Sequence, residues 1–179
     1  MKLQRGIPHG REDETGRLPG SSFLTGPDHE TEGLGGGPQS LTQVSHVQWT
    51  TIAVPTHSRT QLIDITNLVA DELAKTGVTN GTCSVYMPHT TAGLTINENA
   101  DPDVARDILA GLARLVPVTG DYRHAEGNSD AHIKASLMGF SLRVPVIDGR
   151  LALGTWQGLY FCEFDGPRHR HVLVGVTGE

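Results

Sequence analysis

The chain has 179 residues, a length that predicts one domain. Its formal net charge is −6 at neutral pH, which argues against a nucleic-acid partner because such partners normally require a basic surface. No apolar run approaches the ~18 residues that a membrane-spanning helix needs, so we expect no membrane partner. Two cysteines are too few for a disulfide framework, and residues 1–17 are too polar for a secretory signal. A cytoplasmic location is therefore predicted.

The composition changes near residue 40. Residues 1–40 hold nine of the 22 glycines and four of the ten prolines, and they show no apolar periodicity. A segment of this kind cannot bury enough apolar surface to offset the entropy lost on ordering it. We therefore predict a disordered Gly/Pro-rich tail over residues 1–40 and one domain over residues 41–179.

Short segments in which apolar and polar residues alternate predict strands with one buried face. Asp148-Gly149 predicts a tight hairpin, because both central positions of a type I′ turn need positive φ. We expect the strands after this turn to continue as a meander, and Cys83 to face the apolar core. The predicted strands cover residues 47–54, 57–63, 82–87, 140–146, 151–153, 159–164 and 172–176.

Three helices are predicted between the strands. Apolar residues at helical spacing predict the first over residues 65–73. Asp101 is a good N-cap for the second, which Pro117 ends. Asp130 is expected to cap a short third helix over residues 131–138. Strand-rich ends with helices between them predict a compact α+β domain with antiparallel sheets, not a doubly wound parallel fold.

The densest polar cluster of the domain covers residues 88–99, which we interpret as the connection between a strand and the second helix. His89 could be a metal ligand or a general base, and Glu98 could be an acid, a base or a metal ligand. Thr90 and Thr91 could donate hydrogen bonds to a phosphate. The alternative is an ordinary turn in which polar side chains satisfy the backbone.

A second cluster contains His124 and His132, eight residues apart across a loop and a helix start. The spacing matches neither a zinc finger nor an H-E-x-x-H helix, but neutral imidazoles are the commonest metal ligands. His132 would also lie near a helix N-terminus, where anions are favoured. The alternative is a pair of histidines with no role beyond the local loop and cap.

A third cluster contains Trp156, Gln157, Arg168 and Arg170. Trp156 could stack on a planar ring that Gln157 hydrogen-bonds, and the two arginines could bind phosphates bidentately. The alternatives are a core tryptophan and a solvated edge strand, on which charges prevent aggregation.

Together these clusters resemble the YjbQ-like proteins, also called the secondary thiamine-phosphate synthase family. The resemblance covers about residues 46–179 and implies a compact α+β fold with antiparallel sheets that assembles as a homotrimer. One departure is visible, because Phe164 stands where the family often has histidine. The segments that carry the resemblance are residues 88–92 (PHTTA), 94–102 (LTINENADP), 131–139 (AHIKASLMG) and 151–158 (LALGTWQG).

The resemblance implies a reaction that joins hydroxymethylpyrimidine diphosphate to thiazole phosphate and releases pyrophosphate. It also implies a site for a divalent metal, zinc or magnesium, which we map to His89, His124 and His132. Glu98 is assigned as the acid/base or as a group that orients a metal ligand, and Asn97 belongs to the same catalytic motif. The residues assigned to substrate binding are Thr90, Thr91, Trp156, Gln157 and Arg168.

Two other classes of function stay open. In a metal-dependent hydrolase of a phosphorylated metabolite, the same histidines would activate a water molecule. In a non-enzymatic module, they would only bind a metal or a small ligand. A small phosphorylated molecule is the expected partner in the two enzyme hypotheses, and the site could lie within one subunit or between subunits.

Overall fold

The computed structural model describes residues 47–179, which build two antiparallel sheets and three helices. The predicted tail, and the start of the predicted domain at residue 41, lie outside these residues. The strands are β1 (Trp49–Pro55), β2 (Gln61–Asp64), β3 (Gly81–Tyr86), β4 (Ala92–Glu98), β5 (Ser141–Ile147), β6 (Arg150–Leu151), β7 (Gln157–Glu163) and β8 (His169–Gly178). The helices are α1 (Thr66–Thr76), α2 (Pro102–Leu115) and α3 (Ser129–Met138). The predicted α+β class is confirmed.

The strands are ordered β1-β8-β3-β5-β6 in one sheet and β2-β7-β4 in the other. The expected meander is therefore wrong after the hairpin of β5 and β6, because β7 joins the second sheet and β8 returns to the first. β8 lies between β1 and β3 and pairs with both. β8 is therefore not the solvated edge strand considered for the two arginines, because Arg170 is buried within it; Arg168 lies exposed in the turn before it.

Residues 88–99 are not a simple connection, because they contain β4. All seven residues of β4 pair with β7, from Ala92 opposite Glu163 to Glu98 opposite Gln157. The first three residues of β4 are all buried, so the polar–apolar alternation that marks a half-exposed strand is missing there. Helix α3 packs closely over this stretch, since a Cβ on Gly93 would lie 2.7 Å from the Cβ of Met138.

The predicted N-cap residue is confirmed for α2 and is wrong for α3. The Asp101 side chain accepts a hydrogen bond of 2.9 Å from the Asp103 N–H, as an N-cap does. Asp130 is not the cap of α3, because Asn128 occupies that position and Asp130 lies inside the helix. The Asp130 carboxylate is fully buried and accepts a 2.8 Å hydrogen bond from Lys134. Asp130 therefore forms a buried ion pair within the helix and does not cap it.

The main core lies between the two sheets and includes Cys83, as predicted. A second apolar cluster lies under α3, where Tyr160, Cys162 and Phe164 pack against the helix. Phe164, at the position where the family often has histidine, is fully buried in this cluster. Within residues 47–179, no helix is both long and apolar enough to cross a membrane.

Candidate active site

A polar cavity of about 220 Å³ lies where the start of β4, the N-terminal part of α3 and the turn between β7 and β8 meet. Three residues assigned to substrate binding and one assigned to metal binding reach it from separate parts of the chain. The residues that line this polar cavity are Thr90, Thr91, Glu126, Asn128, His132, Asp165, Arg168 and Arg170.

A buried ion pair holds one wall of the polar cavity. Arg170 donates from Nε to Glu163 Oε2 at 2.8 Å and from Nη2 to Glu163 Oε1 at 2.7 Å. The same Nη2 donates to the Thr91 hydroxyl at 2.8 Å. Burial disfavours the charged carboxylate, but the hydrogen bonds from Arg170, the Asp165 N–H and Thr56 outweigh it. They hold the pKa of Glu163 below its ordinary value. Arg170 is thereby fixed as a charged group against Thr91.

Asp165 organises the rim of the polar cavity. It accepts hydrogen bonds from Arg168 Nη2 at 2.7 Å and from Asn128 Nδ2 at 3.0 Å. Burial opposes its ionisation, but these two bonds and the nearby guanidinium charges keep the pKa of Asp165 below its ordinary value. The Asn128 Oδ1 atom is buried and has no hydrogen-bond partner among residues 47–179. The rim therefore carries the exposed guanidinium of Arg168 beside the side-chain amide of Asn128, whose Nδ2 is held by Asp165.

The first turn of α3 is anchored by charge. Asp130 binds Lys134 on one carboxylate oxygen and Arg59 on the other, at 2.8 and 2.9 Å. Both Asp130 and Lys134 are almost completely buried. His132 also lies on α3. The ion pairs of Asp130 hold this part of the helix and so place the His132 imidazole at the polar cavity.

His132 also borders a second cavity. The rings of His124 and His132 meet edge to face with their centroids 5.3 Å apart. The second cavity has a volume of about 360 Å³ and walls that are mostly carbon. We call it the apolar cavity, and the residues that line it are Tyr122, His124, Ser129, His132 and Ile133.

His89 forms a different pair. Its ring meets that of His171 edge to face at 4.7 Å, and its Nε2 accepts a hydrogen bond from the His171 backbone N–H. Burial lowers the pKa of His89, and the charges of Arg170 and His171 lower it further. His89 is therefore held neutral, with Nε2 engaged by the backbone.

The structure pairs two of the three predicted metal residues, His124 and His132, and places the third, His89, beside His171. Residues 47–179 contain no group of three or more His, Cys, Asp or Glu side chains arranged to hold a metal ion. Two imidazoles supply only part of a zinc coordination sphere, which usually takes three protein ligands at a catalytic site. The three-histidine site stays a prediction.

The other predicted residues lie at the opposite end of β4. Glu98 is six positions after Ala92, so the two ends of this strand are about 20 Å apart. Glu98 and Asn97 are at the far end from Thr91, with Gln157 paired opposite Glu98. Gln157 uses its side-chain oxygen within its own turn, where the Gly154 N–H donates to it. The predicted residues therefore form two groups within one chain.

Trp156 belongs to this far group. Its side chain is 62% exposed, so the alternative of a core tryptophan is wrong. An exposed indole remains available to a planar ring or to another protein surface.

The sequence did not single out the buried charges as a network. Glu163 ends β7 between two buried apolar neighbours, a pattern that signals paired burial because isolated charges are costly there, whereas Arg170 lies between two histidines and is not marked in this way. Asp165 and Asn128 carry no such signal, because their role depends on how the turn before β8 meets the start of α3. Asp130 and Lys134 are spaced four apart, which matches a helical ion pair.

The structure is that of an α+β protein with a polar cavity at one end of a three-stranded sheet. A family model described as UPF0047 protein YjbQ-like matches residues 50–179. The chain belongs to this family.

Relatives in bacteria and archaea are similar over the same domain. UPF0047 protein YugU of Bacillus subtilis is 51% identical over 129 residues, which are 72% of this chain and 98% of that protein. UPF0047 protein MJ1081 of Methanocaldococcus jannaschii is 48% identical over 126 residues, covering 70% and 91%. A crystal structure of a YjbQ/UPF0047 family protein from Clostridium acetobutylicum matches with a TM-score of 0.71 at 56% identity, covering 72% of this chain and 99% of that one.

Proposed function

We propose that this chain is an enzyme that binds a phosphorylated small molecule in the polar cavity, and that its reaction is secondary thiamine-phosphate synthesis. The observation that supports the proposal is the convergence of hydroxyl, imidazole and guanidinium groups from separate chain segments on one cavity. Thr90, His132 and Arg168 supply one group of each kind. Such groups bind phosphate oxygens through charge-assisted hydrogen bonds.

In the proposed reaction, the thiazole nitrogen forms a bond to the methylene carbon of hydroxymethylpyrimidine diphosphate. The bond from that carbon to the diphosphate oxygen breaks, and the electron pair leaves with pyrophosphate. The transition state therefore places negative charge on the leaving oxygen, where fixed positive groups stabilise it most. Arg170 suits this role because Glu163 holds it in place before the ligand arrives.

A divalent metal, zinc or magnesium, is part of the proposal. His124 and His132 are the residues that would hold it, because they lie side by side. Its charge would add to the neutralisation of the leaving pyrophosphate.

We also propose that the chain acts as a cytoplasmic homotrimer. The large apolar side chains of Trp49, Leu115 and Ile147 are exposed on the single chain and would be covered by subunit contacts. Four of the predicted site residues lie too far from the polar cavity of their own chain to touch a ligand there. They are Asn97, Glu98, Trp156 and Gln157. Under this proposal they act on a ligand bound by a neighbouring subunit. Both cysteines are free and buried, in keeping with a reducing compartment.

The test is an assay of untagged protein with the two thiamine precursors, with thiamine phosphate detected by chromatography. His132→Gln should lower the rate at least about 100-fold if the imidazole takes part in the chemistry. Leu137→Gln, an exposed position on the same helix, should leave the rate unchanged.

Two outcomes would replace the proposal. Release of phosphate from simple phosphoesters, with no thiamine phosphate formed, would identify a hydrolase. That candidate is favoured by the imidazole pair beside the cavity, which could activate a water molecule. Binding of phosphate esters without any turnover would identify a non-enzymatic binding module.

A further inference from the structure

The apolar cavity is larger than the polar cavity, at about 360 against about 220 Å³, and the phosphate of the proposed substrate does not use it. Its walls include the Tyr122 ring and the Ile133 side chain, which is 40% exposed. An exposed isoleucine beside two imidazoles and a phenol ring is a surface that an aromatic group would cover favourably.

Two contacts join the cavities. His132 lines both of them. In addition, His124 of the apolar cavity lies 3.7 Å from Glu126 of the polar cavity, measured from Nε2 to Oε2. A single molecule could therefore occupy both cavities and pass beside His132. The two volumes together fall in the range of roughly 300–1,000 Å³ that is usual for small-molecule sites.

We propose that the apolar cavity holds the aromatic ring of the same ligand whose phosphate lies in the polar cavity. The phosphate half of this inference rests on the proposed function, whereas the ring half rests on the apolar cavity alone. The ligand class is thus a phosphate or diphosphate ester of an alcohol that carries a flat ring. Tyr122 and Ile133 take the ring-binding role within one chain, a role that the sequence had assigned to Trp156.

The experiment compares phenyl phosphate with methyl phosphate by calorimetry on the full chain. We expect phenyl phosphate to bind at least about tenfold more tightly, because one face of its ring leaves water in the apolar cavity. Ile133→Gln should reduce the affinity for phenyl phosphate to near that for methyl phosphate and leave methyl phosphate unchanged. In methyl-labelled protein, the phenyl protons should show nuclear Overhauser effects to the Ile133 methyl groups.

Leu137→Gln is the matched control, because Leu137 is 57% exposed one turn further along α3 and lines neither cavity. It should leave the affinities for both esters unchanged. If methyl phosphate binds and phenyl phosphate binds no better, the ring site is wrong while the phosphate site stands. If neither ester binds, the phosphate site fails and this inference fails with it.

Discussion

Glu163 and Arg170 form an ion pair with little exposure to solvent, since Glu163 is fully buried and Arg170, at the wall of the polar cavity, is 8% exposed. Removing one partner of such a pair leaves a buried charge with no compensation. Glu163→Gln should therefore lower the free energy of unfolding by about 3–5 kcal/mol, measured by denaturant titration. Arg168→Ala is the control. It breaks the pair with Asp165 at an exposed arginine and should cost less than about 1 kcal/mol. Equal losses in the two variants would show that burial is not the cause.

The same carboxylate predicts how stability depends on pH. Its pKa is lowered from an ordinary value of 4.5 in the folded chain, so below pH 4.5 the unfolded chain binds more protons than the folded chain. The stabilisation from Glu163 is thus complete above pH 4.5 and is lost as pH falls through the folded pKa. Glu163→Gln should reduce the slope of unfolding free energy against pH in that range. An unchanged slope would contradict the assignment.

The histidine pairs predict which imidazoles matter for a metal. If His124 and His132 hold it, His124→Ala and His132→Ala should each remove the bound metal from untagged protein, measured by mass spectrometry. His89→Ala should retain it, because His89 pairs with His171 and its Nε2 is engaged by the backbone. Loss of metal in all three variants would instead support the three-histidine site predicted from the sequence.

At the scale of elements, the contact between β4 and α3 positions His132 over the polar cavity. A Cβ on Gly93 would lie 2.7 Å from the Met138 Cβ and 3.1 Å from the Gly139 carbonyl oxygen, which accepts a hydrogen bond from the Leu94 N–H. Gly93→Ala should therefore destabilise the protein by about 1–3 kcal/mol in thermal or denaturant unfolding.

Gly111→Ala is its matched control. Gly111 lies inside α2, and a Cβ there would meet nothing within 4 Å. This change should stabilise the protein by about 0.5–1 kcal/mol, because alanine loses less backbone entropy in a helix. Destabilisation by both changes would mean that the close approach at Gly93 is not what matters.

The elements that were predicted well are those with local causes. The α2 cap depends on Asp101 and its near neighbours, and the hairpin depends on positive φ at Asp148 and Gly149, which the structure has. The placement of β7 and β8 depends on pairing with strands up to 126 residues away, as between Trp49 and Gly175, which composition does not encode.

The same reasoning explains what was predicted of the site. Thr90, Thr91 and His132 were singled out by residue type, which carries the chemistry. Their convergence, and the separation of Glu98 from them, follow from the register of β4 on β7. That register cannot be read from one sequence, because residues 88–99 looked like a connection and not a strand.

At the scale of the whole molecule, the exposed apolar side chains and the divided site point to the same proposal. A single chain leaves Trp156 62% exposed and separates it from the polar cavity by the length of β4. Assembly could cover such surfaces and bring the far end of one β4 to the cavity of another subunit. The particle should therefore scatter light as three times 19.2 kDa.

Subunit mixing tests this arrangement directly. His132→Gln and Glu98→Gln should each be inactive alone in the thiamine-phosphate assay. When the two variants are co-expressed in equal amounts with different tags, a site that combines His132 of one subunit with Glu98 of its neighbour is intact in about a quarter of cases in a closed ring. Trimers that carry both tags have one such site in three, so they should recover about a third of the wild-type rate, whereas each variant purified alone in the same way should recover none. Mixed trimers without activity would mean that both residues act within one chain, whereas full activity of Glu98→Gln alone would mean that Glu98 has no part in the reaction.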